Sequence, residues 1–219
     1  MKKVNPQNHF FWLTAALAGM LITGAFTTEF PESLAFIILE YSSIFLLLLS
    51  LIGLREDRSW RIGLLILIGI MALATFTRDI TGFQYSKYVY MFLLLVFFLS
   101  AGWLVGRRVL LTGHVDLNVI TGSVALYLIL GFIWAILYTF LVQLQPEAIT
   151  GVEPENWVSS LSTMTYFSFV TLTTLGYGDI SPVTPIAERL VILEAVTGMF
   201  YFAIVVASLI GAARNRETS

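Results

Sequence analysis

Thr174-Leu175-Gly176-Tyr177-Gly178-Asp179 lies between two long apolar runs, and its reading decides how the rest of the chain is understood. Two glycines around one aromatic residue make a poor helix and a poor strand. They suit an extended loop whose backbone alternates in handedness, because Gly reaches positive φ at little steric cost. Such alternation lets successive backbone carbonyls turn the same way.

The flanks narrow the reading. Upstream, residues 156–173 predict a short helix, with Asn156 as N-cap and Trp157 opening an amphipathic run. This segment is rich in Ser and Thr and too polar for a lipid-facing span. A re-entrant helix enclosed by protein fits it, since irregular backbone at membrane depth is tolerated only inside protein or beside water. Its C-terminal end would aim partial negative charge at the loop. Downstream, Ser181-Pro182 ends the loop, and Pro185 suits the first turn of a new helix.

The order span, re-entrant helix, Gly-Tyr-Gly loop, span resembles the pore module of potassium channels, over about residues 117–212. The loop is similar to that family's filter signature, T-V-G-Y-G-D or T-I-G-Y-G-D, with Leu175 as the departure. In such filters, rings of backbone carbonyls replace the hydration shell of the ion. The resemblance implies potassium as permeant ligand at Thr174, Leu175, Gly176 and Tyr177, with Gly178 closing the outer end. Asp179 and Glu194 are then supports of the filter, and Gly198, midway along the last span, a candidate gating hinge. For Gly198 close helix packing is the alternative. Glu194 is an ionisable residue inside a span, costly unless paired or near water. Bracing by hydrogen bonds and direct ion coordination are its two readings.

Composition agrees with a membrane protein. The 219 residues are 58% hydrophobic and 12% charged, with a mean hydropathy of +0.86. Soluble domains average about 25% charged residues. There is no Cys, and the two His residues, His9 and His114, are far apart, so neither thiolate chemistry nor a His-based metal site is indicated. No nucleophile–base pair suggests an enzyme, and neither a cofactor nor a nucleic-acid partner is indicated.

A helical span takes about 20 apolar residues. Six are expected, at roughly 10–27, 33–53, 61–77, 88–106, 117–143 and 185–211. The expected fold is an all-α membrane protein of six transmembrane helices, with the re-entrant helix and filter loop between the fifth and sixth. Residues 1–116 form a four-span region, 117–212 the pore domain, and 213–219 a short cytoplasmic tail. When the spans are threaded, Lys2, Lys3, Arg55, Arg58, Arg61, Arg107, Arg108, Arg214 and Arg216 fall on one side; Arg78 and Lys87 fall on the other. Cytoplasmic loops carry the excess of Lys and Arg. Both termini are therefore expected in the cytoplasm, with the loop facing outward in the cell membrane. The first span is read as retained rather than as a cleaved leader, because its apolar run continues past Ala16-Leu17-Ala18.

Steep voltage dependence needs about 3–4 gating charges per subunit. The fourth span, residues 88–106, has no Arg or Lys, so a conventional voltage sensor is excluded. Glu40, inside the second span, reads either as part of an ion path or as a hydrogen-bonded packing contact. Glu147, Glu153, Glu155, Asp179 and Glu188 gather near the outer mouth, where fourfold repetition would raise the local cation concentration. One filter strand per chain implies a homotetramer in the lipid bilayer, leaving room for a regulatory subunit in trans. The rival readings are a weakly selective cation channel, through looser packing at Leu175, and a secondary transporter, which would predict an internal repeat.

Overall fold

The computed structural model describes residues 9–27, 41–42, 44–48, 58–81, 86–111, 117–152 and 157–217. The chain is almost wholly helical there: α1 (His9–Thr27), α2 (Arg58–Thr81), α3 (Ser86–Leu111), α4 (Leu117–Leu144), α5 (Trp157–Leu172) and α6 (Pro185–Glu217). Among the described residues, three stretches are long and apolar enough to cross a membrane, Trp60–Thr77, Lys87–Val109 and Leu117–Leu144; Phe10–Gly24 is a shorter apolar helix. This is an all-α membrane protein. The expected second span falls largely outside the described residues, as do Glu40, Glu153, Glu155 and Asn156.

The helices run past the apolar stretches that mark them in the sequence. Helix α2 continues through Arg78 to Thr81, and α3 includes Ser86-Lys87 at one end and Arg107–Leu111 at the other. Helix α6 extends to Glu217, so most of the polar tail expected over 213–219 is helical. Ala, Arg and Glu are good helix formers, and apolarity marks the hydrocarbon layer rather than the helix end. At 16 residues, α5 spans about 24 Å, short of the roughly 30 Å hydrocarbon core.

Helix α4 organises the rest. Its sequence is apolar around the whole circumference, the pattern of a helix surrounded by other helices or lipid. Small residues on it admit neighbours closely. A Cβ at Gly122 would lie 2.8 Å from the Phe10 ring of α1, and one at Gly131 would lie 2.4 Å from the Phe169 ring of α5. Aromatic contacts carry the packing from α3 through α4 to α5: Phe98 stacks on Phe132 at 5.1 Å, and Phe132 meets Phe169 edge-on at 6.0 Å.

Polar contacts fix the register of these helices. The Ser162 hydroxyl donates to the Gly24 carbonyl at 2.8 Å, tying α5 to α1. The Lys87 ammonium donates to Gln143 at 2.9 Å, and the Gln143 amide donates to Ser160 at 3.3 Å, linking α3, α4 and α5. A two-stranded antiparallel ribbon, β1 (Ile149–Thr150) with β2 (Ser181–Pro182), joins the chain before α5 to the chain after the loop. The loop is thus clamped at its base.

Candidate functional site

Helix α5 delivers the chain to the loop through a defined stop. The Thr174 N–H donates to the Thr171 carbonyl and the Leu175 N–H to the Val170 carbonyl, both at 2.9 Å. These are the paired bonds of a Schellman motif, with Thr174 in the left-handed position usually held by glycine. Thr174 accordingly has φ of 61°, the sole non-Gly residue with positive φ among the described residues. For a β-branched side chain this conformation is an outlier. Such strain persists where the surroundings over-determine it, and it clusters at functional sites.

Beyond Thr174 the handedness alternates. Gly176 has φ of 55° and Gly178 of 79°, whereas Leu175 and Tyr177 do not enter the positive region. A Cβ built on either glycine would meet nothing within 4 Å, so conformation rather than space calls for glycine here.

The side chains of Leu175 and Tyr177 are bare in the single chain, at 56% and 67% exposed. Both border a cavity of about 550 Å³ whose other walls include Phe98, Phe132, Phe169 and Val170. Asp179, next in sequence, accepts a 2.8 Å hydrogen bond from the Tyr166 hydroxyl of α5. Its backbone is held by a second device: Gly151 has φ of 83°, and a Cβ there would come within 2.6 Å of the Asp179 carbonyl oxygen.

The loop leads into α6 through a built N-terminus. The Thr184 hydroxyl accepts from the Ala187 N–H at 3.4 Å, Pro185 is the first helical residue, and Glu188 lies in the first turn. Each suits the partial positive charge and free N–H groups of a helix start. Glu147 and Glu188 are both exposed.

Two residues singled out in the sequence sit on α6, facing α5. Glu194 is fully buried and meets hydroxyls from both flanking helices, Tyr138 of α4 at 2.7 Å and Ser168 of α5 at 2.5 Å. Its hydrogen-bond partners thus lie outside 174–179, so any influence on the loop passes through α5. Gly198 is packed against the end of α5, where an added Cβ would lie 2.2 Å from the Leu172 carbonyl oxygen. That contact gives a packing reason for the glycine.

Sequence reasoning missed Ser168, Tyr138 and Tyr166, because their partners lie 26, 56 and 13 residues away. The one signal available was the presence of a carboxylate within an apolar run. Among the described residues, no group of three or more His, Asp or Glu could hold a metal ion.

Residues 122–215, from the second turn of α4 through the loop to near the end of α6, match the family model described as "Ion channel". The matched segment is similar to ion-channel proteins over less than half of this chain. Over 105 residues, 48% of this chain, the sequence is 36% identical to the inward rectifier potassium channel Kirbac3.1 of Paramagnetospirillum magnetotacticum. The aligned region covers 32% of that protein, so the chain spans about a third of that relative's length. No solved structure matches the chain.

Proposed function

We propose that four copies of this chain assemble about a common axis as a potassium-selective channel of the cell membrane. Each copy contributes one filter strand, and the carbonyl oxygens of Thr174, Leu175, Gly176 and Tyr177 replace the water around a dehydrated potassium ion. Gly178 closes the outer end. Conduction is passive, down the electrochemical gradient, with no cofactor. The observation that carries this reading is the alternation of positive φ at Thr174, Gly176 and Gly178, which permits a single row of like-facing carbonyls. The bare Leu175 and Tyr177 side chains support assembly, since a neighbouring copy would cover them.

In the full arrangement each copy has six spans, the last two of them within the pore domain; α5 is re-entrant, and both termini lie in the cytoplasm. Asp179, held by Tyr166, steadies the outer end of the filter, and Gly198 acts as a hinge in addition to its packing role. The opening stimulus is not voltage acting on a charged span; a lipid or a subunit in trans fits the sequence better. The test is planar-bilayer recording of purified protein under asymmetric potassium and sodium. Single-channel steps reversing near the potassium equilibrium potential are expected. Reversal midway between the two ions would favour a weakly selective cation channel. Saturable flux without steps would favour a transporter.

A further inference from the structure

The contacts around Glu194 count protons. The Ser168 hydroxyl lies 2.8 Å from the Gly131 carbonyl oxygen and 2.5 Å from Glu194 Oε1. Both distances are hydrogen bonds. A serine hydroxyl has one proton to give, and a backbone carbonyl can only accept. If Ser168 donates to Gly131, the short contact with Glu194 must be made by a proton on the carboxyl group. Tyr138 completes the set by donating to Oε2 at 2.7 Å. Three protons, on Tyr138, Glu194 and Ser168, then serve three acceptors, Oε2, Ser168 Oγ and the Gly131 carbonyl, with nothing left over.

We infer that Glu194 is a neutral carboxylic acid that donates to Ser168, and that it acts as a positioning residue for the loop by locking α5 to α4 and α6. The charge environment agrees. Glu194 is fully buried, and among the described residues no Lys or Arg acts on it; the titratable groups facing it are Tyr138 and Tyr127, both on α4. An ionised carboxylate buried without a cation is strongly disfavoured, whereas a neutral acid with its bonds made is not. Ser168 lies in the second half of α5, four residues before its end, so the relay fixes the helix that presents Thr174. The effect on the filter rests on the proposed channel activity. The protonation state does not.

Infrared spectroscopy of the full-length protein, with glutamate side chains carrying carbon-13, reads the carboxyl group directly. At neutral pH, wild type is expected to show an isotope-shifted, hydrogen-bonded carboxylic-acid band that Glu194→Gln lacks. Ser168→Ala is expected to move that band to higher frequency, because the acceptor is gone. In bilayers, Glu194→Ala should lose potassium selectivity. Glu194→Gln should restore it to within about twofold of wild type, since an amide accepts from Tyr138 and donates to Ser168 as the neutral acid does. A carboxylate band with no acid band, or loss of selectivity in the glutamine variant equal to that in the alanine variant, would overturn the inference. If wild type carries no potassium current but shows the acid band, the channel reading fails and the proton assignment stands.

Discussion

Replacing Gly198 by alanine would put a Cβ atom 2.2 Å from the Leu172 carbonyl oxygen, 3.1 Å from its carbonyl carbon and 3.3 Å from its Cα. All three atoms are backbone, so no rotamer change relieves the clash. Cβ contacts below 3.0 Å are essentially never seen, so α5 and α6 would have to part by about 0.8 Å. Overpacking of this kind costs roughly 1–3 kcal/mol. Alanine recovers about 1 kcal/mol in helix propensity, so a net loss of roughly 0–2 kcal/mol per copy is expected. Leu172 is the last residue of α5, two before Thr174, and the displacement falls on the support of the loop. The assay pairs thermal unfolding of detergent-solubilised protein with bilayer recording. A melting temperature lowered by several degrees (about 2–4 °C per kcal/mol for a chain of this size) should accompany weakened selectivity. If Gly198→Ala instead kept full stability and selectivity and altered only the fraction of time open, the packing argument would be refuted. The glycine would then serve as a hinge alone.

Other perturbations separate conformation from space. Gly176→Ala and Gly178→Ala should each abolish selective current while the protein still reaches the membrane, because an L-residue in the left-handed region costs roughly 1–2 kcal/mol per copy; normal selectivity in both variants would defeat the filter assignment. Gly131→Ala should lower thermal stability by roughly 1–3 kcal/mol, since its Cβ would lie 2.4 Å from the Phe169 ring, and an unchanged melting temperature would show that the ring has room to yield. Tyr166→Phe deletes the exposed 2.8 Å bond to Asp179. It should leave the melting temperature almost unaltered while shortening single-channel bursts, and unaltered bursts would remove Asp179 from the filter's support.

The short helix and the loop after it were legible in the sequence because their signals are local. Residues 156–173 predict a helix, and α5 occupies Trp157–Leu172; Pro185 marks the first residue of α6. Gly176 and Gly178 announce their positive φ by being glycine. Thr174 shares that conformation but could not announce it, since a β-branched residue argues against it; the hydrogen bonds closing α5 impose it. The β1–β2 ribbon escaped notice because two-residue strands have no periodicity to read. The partners of Glu194 escaped for another reason. Hydrogen bonds between helices depend on rotation and depth within a bundle, and Tyr138 and Ser168 look like ordinary residues of apolar or Ser/Thr-rich runs.

Diffraction from crystals soaked in thallium, a monovalent stand-in for potassium with strong anomalous scattering, bears on the carbonyl mechanism most directly. A column of anomalous peaks is expected on a fourfold axis, each ringed by backbone oxygens of residues 174–177 from four copies of the chain. Loops lying off any shared axis, or an axis empty of thallium between them, would contradict it.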